Sequence, residues 1–349
     1  MKTSRSVRHA IILTILVPAA ATSYAGPLTP PPGAIGTNGL PVGYMKTLNE
    51  VEPRRHISAI PYTITNSGSY FLTENLRATD HTVNGITVLT NDVRIDLNGF
   101  SLLGDKAKGG NDGAAVWVNP GYMNVCVRNG VTRDWNKGGL YALGTYDGRI
   151  EKVICHDNGS VNYNDIQTGK EWVVADCASY TSGSNGIALQ PASVVKDCMV
   201  FNAAASGIDA SIQCHIRKCL AYGNTVAGIL VNEGCTVTDC SPLQNKGHGI
   251  QANTNNRIQN NSCVDNGKDG SSSGIYVTGT GNRIEGNSIN GGQLGIAIDG
   301  TNNFTVKNTT VDCSKGYAIQ DGNHTGRVMV GDDLPEPFSE VSPWANFDL

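Results

Sequence analysis

Charge is scarce in this chain. Of 349 residues only 16% are Asp, Glu, Lys or Arg, and the formal net charge is −4. A nucleic-acid partner calls for a basic patch or stripe, which this balance does not favour. Aromatic residues make up 6% of the chain, too few for a lectin packed with sugar-stacking rings. No stretch beyond the first 21 residues is apolar for long enough to span a bilayer as a helix. A helical spacing of apolar residues is missing as well, which excludes helical-pair repeats.

The first segment has its own signature. Lys2, Arg5 and Arg8 precede an apolar run from Ala10 to Ala21, and Ser23-Tyr24-Ala25 supplies small residues for cleavage. Residues 1–25 are therefore predicted to be a secretory signal, with cleavage after Ala25 and a secreted or periplasmic product. Residues 26–49 read as a Pro/Gly-rich extended linker.

What the chain has in abundance is glycine, 42 residues of it, and much of it is periodic. Gly186-Ile187, Gly207-Ile208, Gly228-Ile229, Gly249-Ile250, Gly274-Ile275 and Gly295-Ile296 recur, followed by Gly316-Tyr317; the steps are 21, 21, 21, 25, 21 and 21 residues. Within each unit apolar and polar residues alternate in short bursts, the pattern of half-buried strands. Val195, Ile216, Val237, Ile258, Ile284 and Val306 form one predicted inward column. A 21-residue unit holds three short strands and three turns but no helix. The predicted fold is an all-β, right-handed parallel β-helix of about eleven coils between Gly85 and Ile319, rising about 4.8 Å per coil. It occupies residues 50–325, with residues 50–82 closing its start. Residues 326–349 form the opposite cap, in which Trp344 and Phe347 cover apolar edges. Residues 267–273 read as a surface loop that lengthens one coil.

The ten cysteines follow the same period. Cys177, Cys198, Cys219 and Cys240 are one repeat apart, a packing ladder continued by Asn261, Asn287 and Thr309. Cys214 and Cys235 form a second column. Their expected separation, one coil, also admits a disulfide in an exported protein.

Tyr62-Thr63-Ile64-Thr65, Gly68-Ser69-Tyr70-Phe71-Leu72, Asp92 to Phe100, Val125 to Gly130, the Gly-Ile units and the terminal Pro343-Trp344-Ala345-Asn346-Phe347 together resemble exported right-handed β-helix proteins of the pectate-lyase-like superfamily. That resemblance covers most of the mature chain and implies a carbohydrate connection. The superfamily includes pectate and alginate lyases, polygalacturonases, epimerases and members with no assigned activity, and this subgroup resembles the last.

The outward face of the Gly-Ile strands is the expected binding groove. One column runs Ala188, Asp209, Leu230, Gln251, Tyr276, Ala297 and Ala318, and its partner runs Gln190, Ser211, Asn232, Asn253, Thr278, Asp299 and Gln320. Gln251, Tyr276, Asn232, Asn253 and Asp299 are the predicted substrate contacts. These columns hold no Lys or Arg, whereas a lyase for acidic polymers needs a base and a group to neutralise the carboxylate. Gly247-His248-Gly249-Ile250 with Arg257-Ile258 matches a polygalacturonase element, so His248, Arg257 and the nearby Asp209 are the candidate catalytic residues. The family's carboxylate pair is missing, however. Asp209 and Asp299 stand four coils apart, about 19 Å, too far to flank one glycosidic bond. Trp117, Trp135, Tyr141 and Trp172 gather in the less regular coils, either as a sugar platform or as packing. Asp176, Asp197, Lys218 and Asp239 form an outward charged row. No cofactor is predicted; Ca²⁺ is conceivable at that row or at Asn266 and Asp269.

These features predict a protein that binds polysaccharide or another extracellular glycan along the solenoid. Catalysis as a lyase, hydrolase or epimerase is the alternative, and a structural rod with a protein partner the third.

Overall fold

The computed structural model describes residues 54–106, 113–267, 270, 272–331 and 341–349. The predicted signal and linker lie outside these, as do three residues of the 267–273 loop. Residues 54–349 form one compact unit. Every strand pairing in it is parallel, and none of the described residues is in an α-helix. Among the described residues no helix is long and apolar enough to cross a membrane.

Two sheets wrap one core. The first has twelve strands, from Tyr62–Ile64 to Lys315–Ile319, and carries the Gly-Ile units; the second has 24 and is built from the other two strands of each coil. The strand Tyr62–Ile64 pairs in register with Ile86–Val88, so a segment expected to cap the rod is itself a coil. That accounts for the excess over about eleven. The twelve strands extend eleven steps, about 53 Å at the usual spacing.

Corners set the repeat length. Asp176, Asp197, Lys218, Asp239 and Asn260 all have φ between 53° and 56°, and Gly286 and Lys307 follow at 68° and 59°. One left-handed residue per corner lets the chain bend sharply, which favours Asp, Asn and Gly. The charged row is therefore a row of turn residues. Among the described residues no group of three or more His, Cys, Asp or Glu could hold a metal ion.

Behind each left-handed residue stands a buried ladder. Asn261, Asn287, Asn308 and Asn346 follow the four cysteines: the Cys240 N–H donates to Asn261 Oδ1 at 2.9 Å, and Asn261 Nδ2 donates to Asn287 Oδ1 at 3.0 Å. The ladder continues through Asn308, not Thr309, which pairs with Ser288 one position later. A similar slip affects Val306, because Thr305 is the true register partner of Ile284. An apolar residue was a more natural reading there than a threonine. Cys214 and Cys235 head a second ladder completed by Asn256, Asn282, Asn303 and Asn323. All ten cysteines are free thiols. Cys235 Sγ accepts the Cys214 N–H at 3.4 Å, taking the place of an amide oxygen.

The far end closes with strand pairing. Val328–Val330 and Asn346–Asp348 join the large sheet. Phe347 is half-buried there, but Trp344 turns outward and stays 48% exposed, so it does not cover an edge.

Candidate functional site

The residue after each inward aliphatic of the twelve-stranded sheet points out. Strand register extends that column to Thr63, Thr87, Trp117, Tyr141, Gln167, Ala188, Asp209, Leu230, Gln251, Tyr276, Ala297 and Ala318. The seven residues expected from sequence are its later part. Its earlier part adds Thr63, Thr87 and Gln167, and brings into the same column Trp117 and Tyr141, two of the aromatics expected as a sugar platform or as packing.

At the early end Lys137 Nζ lies 5.4 Å from the Trp117 ring centre, 5.1 Å from Tyr141 and 5.7 Å from Tyr163. Tyr141 and Tyr163 meet edge to face at 6.1 Å. The groove therefore does hold a cation, with three half-exposed rings around it. A guiding signal was present. Gly85-Ile86 and Gly139-Leu140 repeat the Gly-aliphatic pair, so Thr87 and Tyr141 were readable as column members. Irregular spacing before Gly186 hid them. Trp135 and Trp172, by contrast, are buried core. Trp172 sits where a Cβ on Gly148 would collide with its ring.

A cavity of about 240 Å³ adjoins this cluster, lined by the amides Asn164, Gln167, Asn185, Gln190 and Asn232, with Asp209 and Ser211. Asn164 Nδ2 donates to Gln167 Oε1 at 2.8 Å, and Asn185 Nδ2 donates to Asp209 Oδ2 at 3.1 Å. Burial pushes the Asp209 carboxyl above the usual range, only partly offset by the Asn185 hydrogen bond. Amides that both donate and accept suit hydroxyl-rich ligands.

Farther along, His248 stacks on Tyr276 with ring centres 4.4 Å apart, and the Tyr276 hydroxyl donates to Asp299 Oδ2 at 2.6 Å. The Ser273 N–H donates to His248 Nδ1 at 3.0 Å, which puts the proton of the neutral ring on Nε2. The hydrogen bond to Asp299 raises the Tyr276 phenol and keeps it protonated. Gln251 lies beside Tyr276 in the column, while Asn232 and Asn253 are in the second, exposed column.

The three candidate catalytic residues do not converge. Asp209 is two coils before Gln251, about 10 Å along the rod, and His248 stands three residues earlier than Gln251 on its strand. Arg257 is on the other sheet, exposed, in register with Thr236 and Arg283. The left-handed Asn255 and buried Asn256 form the corner that carries the chain from one sheet to the other. The two groove carboxylates remain four coils apart, as the spacing predicts.

No family model matches the chain, and no curated protein matches it. Solved structures do. The A-module of the Azotobacter vinelandii mannuronan C-5 epimerase AlgE6 superposes with a TM-score of 0.59 at 14% identity, covering 84% of this chain and 87% of its own. The corresponding AlgE4 module gives 0.65 at 13%, covering 78% and 90%. The Dettilon tailspike protein gives 0.51 at 11%, covering 84% of this chain and 61% of its own. At such identities the likeness is one of fold alone: a right-handed parallel β-helix.

Proposed function

We propose that the protein binds a polysaccharide lying along the outward face of the twelve-stranded sheet. The observation that carries this reading is the continuity of Trp117, Lys137, Tyr141 and Tyr163 with the amide-lined cavity around Asp209. Rings offer faces to sugar rings, amides exchange hydrogen bonds with hydroxyls, and Lys137 offers a charge to a carboxylate. Two neighbours in fold act on mannuronan, which makes that polymer the first to try. Affinity electrophoresis of the mature protein through gels containing mannuronan, homogalacturonan, xylan or glucan tests the reading. Retardation by at least one polymer, relieved in Lys137→Ala and Trp117→Ala, is expected. Unretarded migration through all four would refute it. Export rests on residues 1–25, and N-terminal sequencing of protein recovered outside the cytoplasm should begin at Gly26.

A second reading has its own observation. His248, Tyr276 and Asp299 form a contiguous imidazole, phenol and carboxylate on the same face. With Asp299 as the base, Tyr276 held protonated beside it and His248 presenting its Nε2–H as a donor, this set suits proton transfer at a sugar carbon, as in an epimerase or lyase. Incubation in D₂O distinguishes it: deuterium at C5, or an unsaturated chain end, is the expected mark of turnover. Neither should appear if the face only binds.

A further inference from the structure

A roomy cavity lies away from the groove, on the 24-stranded sheet near the C-terminal end. It measures about 550 Å³ and has Phe304, Val306, His324 and Trp344 in its lining. Its volume is within the ordinary range for small-molecule sites. From it we infer a second ligand site, one that takes a single pyranose ring between the Phe304 and Trp344 side chains.

The rings are fixed before any ligand arrives. Arg283 lies over Phe304 with its guanidinium carbon 4.7 Å from the ring centre, and Lys307 Nζ lies 4.5 Å from that of Trp344. Both cations are tied to Glu285: Arg283 Nε donates to Oε2 at 2.8 Å and Lys307 Nζ to Oε1 at 3.0 Å. Gln259 Nε2 donates to Oε2 as well, at 3.0 Å. One carboxylate thus holds two cation–ring pairs from adjoining coils. The backbone under Trp344 is equally constrained. Ala345 is buried, and Asn346 ends the asparagine ladder by accepting the Asn308 N–H at 3.0 Å. Side chains positioned this way lose little freedom on binding.

The chemistry of the lining selects the occupant. Phe304, Val306 and Trp344 are apolar walls suited to the C–H face of a sugar. His324 is exposed and its imidazole makes no hydrogen bond among the described residues, so its ring nitrogens are available to hydroxyls. An aliphatic ligand would leave that imidazole without a partner. A folded protein partner needs about 800 Å² on each side, far more than seven lining residues provide.

Saturation-transfer NMR on the full chain tests this, with methyl glucoside, methyl galactoside, methyl mannoside and methyl glucuronide as separate probes and indole as the aromatic control. Transfer to at least one glycoside is expected in the wild type and in Lys137→Ala and Trp117→Ala, whose changes are confined to the groove. It should fall at least about fivefold in Trp344→Ala, and fall measurably in Glu285→Gln, which frees the rings without removing them. Amide spectra of all variants should overlay the wild type away from the cavity. Absence of transfer from every glycoside, preference for indole over all of them, or equal transfer in Trp344→Ala and the wild type would each overturn the inference. None of these outcomes bears on retardation by polymers in the groove assay, so the two sites fail independently.

Discussion

Asp165 takes the slot that glycine fills in the neighbouring coils, next to Ile166, which pairs with Ile187. Its carboxyl is consequently directed into the core, where Oδ1 accepts the Asn158 N–H at 3.1 Å and Oδ2 the Ser179 hydroxyl at 2.5 Å. Burial dominates these hydrogen bonds and pushes its pKa up to about 8. A carboxyl raised on folding stabilises the fold most while it stays protonated in both states, below about pH 4. That advantage is lost as pH rises toward 8, because only the unfolded chain ionises freely in between. Melting temperature should therefore fall from pH 5 to pH 8 in the wild type. In Asp165→Asn this slope should flatten; an unchanged slope would assign it to other groups. The ladder amides give a second test at this scale. Asn245 accepts the Asn224 N–H at 2.9 Å and donates to Ala221 O and Asn266 Oδ1 at 3.0 and 2.8 Å. Asn245→Ala leaves several buried groups without partners and should cost roughly 2 kcal/mol or more in urea titration.

The repeating element is the corner: a left-handed residue followed by a buried ladder residue. Asp197-Cys198, Lys218-Cys219, Asp239-Cys240 and Asn260-Asn261 show the pattern on one edge. Asp197→Gly should be nearly neutral. Asp197→Val should destabilise by about 1–2 kcal/mol, the cost of a branched side chain in the left-handed region, as read by chemical denaturation of both variants. The strand and ladder columns were legible in sequence because a fixed 21-residue step converts spacing directly into register. The errors came where the step lost its marker. Thr305 and Asn308 sit one residue before the apolar and polar choices that spacing alone suggested, and a buried threonine gives no hydrophobic signal. The paired cysteines at 214 and 235 were legible as a column. Their free state follows from a ladder role, since each thiol stands where later coils place an asparagine oxygen.

Across the whole β-helix, the groove is where sequence reading reached least far. Its later columns followed from the period, but Lys137, Trp117 and Tyr163 come from coils whose lengths vary, so nothing in the spacing aligned them with Asp209. His248, Tyr276 and Asp299 were each singled out, yet their contact with one another depends on side-chain reach across neighbouring coils. Arg257 was drawn toward His248 by a linear motif, and the corner at Asn255-Asn256 separates them. From Trp117 to Tyr276 the column runs seven steps, about 34 Å. A polymer lying along this face should therefore gain affinity with length until it covers that distance. The most direct measurement is calorimetric titration with size-fractionated oligomers of the polymer that retards the protein. Affinity should climb with oligomer length and then level off, and both Trp117→Ala and Tyr276→Ala should lower the plateau. Affinity already maximal for a disaccharide, or a plateau untouched by changes at both ends, would contradict a polysaccharide lying along the sheet.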